Sequence, residues 1–299
     1  MPSLKDIRFR IKAVKSTQQI TRAMKMVASA KFKKAEQLTL KYRNFKKKIE
    51  EIGLSLAMRC DAKEYFLLDN NNSNTVGLLV ITSDRGLCGA FNSLLMKSVL
   101  SYVRELESAG KKCKIWVIGR KGASFFSKQK LNIEKSYIGI YRNLDIKIAD
   151  NISREMIEQY RTGEIGKMVI CYNYYKSIMR QIITYKNVIP ISENISQLNE
   201  TNPKLKSELE QDTEDYIYEP SEVEILMSLI PMYISTEVYS SIIESQVGEL
   251  ASRMTAMDNA TNNAMERIRI LTIQYNRLRQ AAITKEIAEI VGGASALEQ

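Results

Sequence analysis

From Ser221 to Val291 the chain contains one proline, Pro231, and one glycine, Gly248. Apolar residues recur there at steps of three and four: Val223, Leu226 and Ile230, then Ile268, Leu271, Tyr275, Leu278 and Ala282. That spacing predicts a very long amphipathic helix. At ~1.5 Å per residue, ~60 uninterrupted residues reach ~90 Å, more than a globular core needs. A rod of that length serves as a shaft, a spacer or a lever, and its apolar seam needs a partner.

The other end of the chain supplies one. Between Ser3 and Ile52 there is neither glycine nor proline. Ser3 followed by Asp6 reads as a helix N-terminus, with a hydroxyl to cap it and a carboxylate suited to its positive end. The seam runs Leu4, Ile7, Ile11, Val14, passes through Gln18 and Thr21 to Ala28, Phe32 and Ala35, and takes a short step to Leu38. It resumes at Tyr42, Phe45, Ile49, Ile52 and Leu56, a second rod of about 80 Å. Charge separates the two rods. Residues 1–59 carry 16 Lys/Arg against 4 Asp/Glu, a balance of +12, and residues 216–299 carry 6 against 11, or −5. Two long helices of opposite sign in one chain are expected to lie against each other.

Between them the texture changes. Asp69–Asn74 is a loop by composition. Short apolar runs suited to buried strands follow at Val76–Thr82, Lys114–Gly119, Ser136–Tyr141, Lys167–Tyr174 and Gln181–Ile189. Helical patterns separate several of them, at Phe91–Leu106, Arg120–Lys130 and Ile146–Tyr160. This alternation predicts a Rossmann-like α/β domain with a mostly parallel sheet. The polar segment Glu193–Asp215 reads as a surface loop or short helix, and Ser221–Glu224 as a capping box opening the last rod. Pro231 removes a helical hydrogen bond, so a kink or restart is expected there. The expected plan is an N-terminal helix (1–59), an inserted domain (60–215) and a C-terminal helix (216–299), the two helices forming a long antiparallel coiled coil.

Composition narrows the chemistry. There is no histidine, which removes the commonest general base and metal ligand. Cys60, Cys88, Cys113 and Cys171 form no CxxC pair and read as reduced thiols. No uncharged apolar run is long enough to span a membrane, and the immediate helical start leaves no signal or transit peptide expected. The glycine-containing loop Ser83–Asn92 lies between a strand and a helix, where a Rossmann-like domain binds phosphate. Its spacing matches neither GxGxxG nor GxxxxGK[ST], so a tight turn presenting Arg85 and Cys88 to a partner is the better reading. Cys88 beside an arginine near a helix start invites a reactive-thiol reading, but no histidine is available to serve it. Lys31-Phe32-Lys33-Lys34 and Lys46-Lys47-Lys48 suit a solvated coiled-coil face, an acidic protein partner or nucleic-acid phosphates. A basic coiled-coil nucleic-acid-binding protein is therefore the alternative, disfavoured by the acidic C-terminal rod and its apolar tip.

Three motifs then converge on one family. Thr17–Ala28, the SDRGLCG stretch from Ser83 to Gly89, and Glu249–Met257 with Arg279–Thr284 resemble, in order, the gamma-subunit family of F-type ATP synthases. The resemblance implies a rotor shaft whose helices pass through the alpha/beta hexamer, with the α/β domain set against the epsilon subunit and the c-ring. It implies no cofactor, no catalysis in this chain, no nucleic acid and no direct membrane insertion. The expected location is peripheral, on the cytoplasmic face of a bacterial inner membrane. Carried over by position, Arg279, Gln280 and Thr284 resemble the cluster meeting loops of the hexamer. Met24 and Arg253 resemble the region facing an acidic loop of beta, with Arg85 and Cys88 close by. Tyr216 and Glu219 resemble the foot facing the c-ring. Lys25 departs from the family, where many members carry glutamate, and leaves the local pairing open. No inserted cysteine pair is present, so no thiol switch is expected.

Overall fold

The computed structural model describes residues 3–59, Leu67, Asn71, 73–191 and 222–297. The expected loop 193–215, Tyr216, Glu219 and the cap at Ser221 lie outside the described residues. The element order is α1 (Leu4–Arg59), β1 (Thr75–Ile81), α2 (Phe91–Ser108), β2 (Lys112–Ile118), α3 (Arg120–Lys128), β3 (Ile133–Tyr137), a 3-10 turn (Ile140–Arg142), α4 (Ile146–Arg161), β4 (Lys167–Ser177), β5 (Arg180–Ile189) and α5 (Glu222–Leu297). Two compact units result: a domain unit of residues 30–252, and a terminal unit formed by residues up to Ser29 with those from Arg253.

The domain unit holds a five-stranded sheet in the order β3-β2-β1-β4-β5. The β3-β2, β2-β1 and β1-β4 pairs are parallel, and only β4-β5 is antiparallel. β1 is buried from Val76 to Ile81, the continuous apolar run of a strand covered on both faces. One face packs Leu78, Val80, Val117 and Val169 against Leu95, Val99 and Val103 of α2 and Phe126 of α3. The other packs Leu79, Ile81, Trp116 and Ile170 against Ile152, Met156 and Tyr160 of α4, Ile49 of α1, and Ile234, Val238, Ile242 and Ile243 of α5. The two long helices are thus part of the domain core, not appendages of it.

Two expectations about those helices change. α5 does not restart at Pro231; the helix continues through it. Ile230, Tyr233, Ile234 and Val238 around the proline are buried in the core, and that burial offsets the lost hydrogen bond. The α1 seam also takes no short step to Leu38, which is exposed. It runs Phe32, Ala35, Thr39, Tyr42, Lys46, Ile49 in unbroken alternation of three and four, with Thr39 buried and Phe45 outside. Polar residues occupy seam positions here, which is why a search for large aliphatics misplaces it.

In the terminal unit α1 opens with the expected cap: Ser3 N donates to Asp6 Oδ2 at 3.1 Å and Asp6 N to Ser3 Oγ at 3.2 Å. The α1 and α5 segments run antiparallel. Thr21 and Thr261 hydroxyls meet at 2.8 Å, and Lys25 Nζ reaches Asp258 Oδ1 at 2.6 Å. Ile7, Thr21 and Ala28 face inward from one helix, Met257, Thr261, Ala264 and Leu271 from the other.

Candidate functional site

The loop after β1 is the first candidate, and its geometry excludes the phosphate reading. In an open parallel sheet a ligand sits beyond the strand ends where the strand order reverses, here between β1 and β4. α5 fills that place. Ser245 Oγ lies 3.5 Å from the Ile81 carbonyl it donates to. A Cβ on Gly248 would already stand 3.3 Å from Gln181 Cγ, 3.4 Å from Phe91 Cε2 and 3.7 Å from the Asn173 carbonyl. The helix is thus packed in van der Waals contact with the α2 start and the β4–β5 hairpin.

The loop's own polar groups are engaged as well. Asn92 Oδ1 accepts from Ser83 N at 3.0 Å, and its amide donates to Ser83 Oγ at 2.7 Å and to Cys88 Sγ at 3.2 Å. Asp84 accepts from Arg120 N at 3.1 Å and Gly139 N at 3.0 Å, so a carboxylate already occupies the amino end of α3. Cys88 is 2% exposed. The loop presents Arg85 and holds Cys88 inside, where the thiol braces the turn. Leu87 was missed by sequence reasoning. It adopts φ 65°, a left-handed conformation uncommon for leucine, and is 64% exposed. Nothing in its local sequence marks a leucine for that role. Among the described residues, burial pushes the Cys113 thiol up to about 11 and raises Cys171 still further, away from the thiolate form.

Met24 and Arg253 lie in the terminal unit, both partly exposed. The pairing left open at Lys25 is resolved there by the bond to Asp258. Arg279, Gln280 and Thr284 are all exposed on α5, and Thr284 Oγ1 donates back to the Gln280 carbonyl at 2.9 Å. They stand where α5 has outrun α1. The Thr21–Thr261 register places Leu4 opposite the Leu278 region, and from Ile273 to Val291 no side chain is buried. Ile283 beside Thr284, and Ile287, Ile290 and Val291 beyond it, are exposed as well.

The lysine run at 46–48 divides. Lys47 and Lys48 are exposed, whereas Lys46 turns inward to Glu237. Arg43 donates from Nε to Glu244 Oε1 and from Nη2 to the Tyr175 carbonyl, both at 3.0 Å, and lies over the Tyr174 ring. Tyr175 donates to Glu36 at 3.0 Å and packs edge-on against Phe32. Glu237 and Glu244 were not singled out from sequence, because a charged residue in a helical pattern reads as surface.

Among the described residues no group of three or more acidic or cysteine side chains could hold a metal ion, and no helix is long and apolar enough to cross a membrane. A family profile described as ATP synthase matches residues 3–297. An ATP synthase gamma chain of Chlorobium phaeobacteroides is 42% identical over the whole of both chains, and one of Chlorobaculum parvum is 41% identical with the same coverage. The chain belongs to the ATP synthase gamma family. Solved structures agree at the level of fold. A chain of the Euglena gracilis mitochondrial ATP synthase superposes with a TM-score of 0.66 at 19% identity, over 98% of this chain and 94% of that one. A chain of the Tetrahymena thermophila mitochondrial ATP synthase, in its central stalk and c-ring structure, gives 0.59 at 23% identity, over 81% and 99%. These likenesses extend the gamma fold to both long helices and the inserted domain. The nucleic-acid alternative finds no support among them.

Proposed function

We propose that this gamma-family chain is the central-stalk rotor of a proton-translocating ATP synthase, carrying torque between the membrane c-ring and the catalytic alpha/beta hexamer. One observation carries the reading. α5 leaves its partner helix and continues alone, with exposed Arg279, Gln280 and Thr284 followed by exposed Ile287, Ile290 and Val291. An isolated chain gains nothing from a helix that buries none of its side chains, so this segment is built to sit inside another protein. The chain itself is non-catalytic, binds no cofactor and regulates turnover by position alone. Its own helix fills the ligand crevice of its sheet, which supports that role.

The working surfaces follow the residues. Arg279, Gln280 and Thr284 meet the hexamer at the tip. Met24 and Arg253 face an acidic loop of beta, and Arg85 approaches the same loop with Cys88 supporting its turn from within. Tyr216 and Glu219 belong to the foot toward the c-ring and epsilon. The functional division is 1–59, 60–215 and 216–299. Binding to the c-ring places the chain peripherally on the cytoplasmic face of a bacterial inner membrane.

The test is assembly and coupling. With alpha, beta and epsilon subunits and the c-ring in vesicles, Arg279→Ala with Gln280→Ala is expected to lower proton-driven ATP synthesis or assembly severalfold. The isolated variant should melt as the parent does, since both positions are exposed on a helix surface. Unchanged synthesis and assembly would overturn the tip assignment. Failure of the parent chain to assemble with alpha and beta would overturn the rotor reading.

A further inference from the structure

The rotor reading leaves one cluster without a task. In the domain unit, Glu237 of α5 is 0% exposed, and both its oxygens meet cations from other elements. Lys46 Nζ of α1 stands 3.0 Å from Oε2, and Lys186 Nζ of β5 stands 2.7 Å from Oε1. One heptad further along α5, Glu244 is bound by Arg43 of α1 at 3.0 Å, and Arg43 is tied in turn to the β4 backbone at Tyr175. Burial raises the Glu244 carboxyl, against the pull of Arg43 and Lys46. Stability is a poor explanation for such a cluster. Desolvating the ions largely cancels their attraction, and apolar residues of similar volume hold helices together as well or better.

Alignment is a better one. A heptad seam fits itself again when one helix slides by seven residues, about 10 Å, so apolar packing alone sets register weakly. The charges break that degeneracy in both directions. Sliding α1 one heptad one way carries Lys46 to Glu244 and Arg43 to the Ala251 level, and leaves the buried Glu237 opposite Gly53. Sliding it the other way carries Arg43 to Glu237 and sets Glu36 against Glu244, two carboxylates face to face. Each slip strands a buried charge, which is far costlier than losing an exposed pair.

We infer that Lys46, Glu237 and Lys186 form a register key that fixes α1 against α5 and both against β5, with Arg43 and Glu244 as its second tooth. The key is a property of the chain alone. Its mechanical consequence, that the paired helices turn with the sheet without slipping, rests on the rotor reading.

The full-length chain tests the key directly. Non-cysteine spin labels at the exposed positions Lys41 and Met227 report the α1–α5 offset as a distance distribution. The parent is expected to give one narrow distribution. In a background that already lacks the second tooth (Arg43→Met with Glu244→Met), the apolar triad, Lys46→Met with Glu237→Met and Lys186→Met, is expected to melt no lower, yet to show a second population displaced by up to about 10 Å. The sign-inverted triad, Lys46→Glu with Glu237→Lys and Lys186→Glu, is expected to restore the single distribution. If the apolar triad keeps one narrow distribution, the key is refuted. Should the apolar triad not fold, the inverted one decides: folding with one distribution upholds the key, and a split or unfolded inverted chain overturns it. Within vesicles carrying the whole complex, the apolar triad should lower protons pumped per ATP hydrolysed at least twofold while hydrolysis continues. A split distribution with no assembly of the parent complex would sink the rotor reading and leave the key standing.

Discussion

Two single residues show how narrowly the domain is built. Gly119 ends β2 at φ 95°, and a Cβ there would lie 2.2 Å from the Thr82 carbonyl oxygen. The obstacle is backbone, so no rotamer relieves it. Gly119→Ala should destabilise the chain by about 2 kcal/mol or more in urea unfolding, from both the clash and the left-handed φ. Glu155 is the electrostatic counterpart. Burial acts to raise its carboxyl, but bonds from Lys135 Nζ at 2.5 Å, Trp116 Nε1 at 3.0 Å and Tyr137 OH at 3.0 Å together hold it below the ordinary 4.5. A carboxyl lowered by folding contributes stability above its unfolded value and loses that contribution as pH falls through its folded value. Glu155→Gln should therefore flatten the acid limb of a stability–pH curve below pH 4.5, with the difference from the parent vanishing in strong acid. A parallel limb in both proteins would contradict the assignment. Neither residue was legible beforehand: Gly119 looked like the end of a strand, and Glu155 like a surface position of α4.

Among the elements, the long helices were the most legible and the least well placed in detail. Helical period, absence of breakers and opposite net charge predicted α1 and α5 and their antiparallel pairing. The sheet strands were recognised because a core strand reads as a continuous apolar run, and their ends moved by no more than four residues. What the pattern hid was polar residues doing seam duty. Lys46 points inward because Glu237 meets it across the helix pair, and that partner lies some 200 residues away in the chain; Thr39 turns its hydroxyl back to the Ala35 carbonyl and is buried. Pro231 hid for a related reason, since tertiary burial overrode its local preference. The Lys25–Asp258 bridge is the contrasting case. Its side chains are 41% and 43% exposed, so solvent and salt screen it. Lys25→Ala should shift thermal unfolding by less than about 1 kcal/mol, and less still in high salt. A larger loss would mean that the bridge organises the pair and does not merely decorate it.

At the scale of the whole molecule, a sheet order typical of nucleotide-binding domains coexists with a blocked crevice. Sequence reasoning doubted the site on glycine spacing. The physical reason is different: the C-terminal helix lies in it, with Ser245 bonded to the Ile81 carbonyl and Gly248 packed beside Phe91 and Gln181. Millimolar ATP or ADP with magnesium should leave the melting temperature of the isolated chain unmoved. A shift of the size that saturating ligand produces, 2 kcal/mol or more at ~100 times Kd, would reopen the enzyme reading. The blocked crevice also bears on how the protein is made. One apolar face of the sheet takes part of its cover from Ile234, Val238, Ile242 and Ile243, all translated after the last strand. On the ribosome, the strands emerge first, and that face waits with only α1 and α4 against it until α5 follows. That interval, not the finished fold, is when the chain is most open to aggregation and most in need of a chaperone.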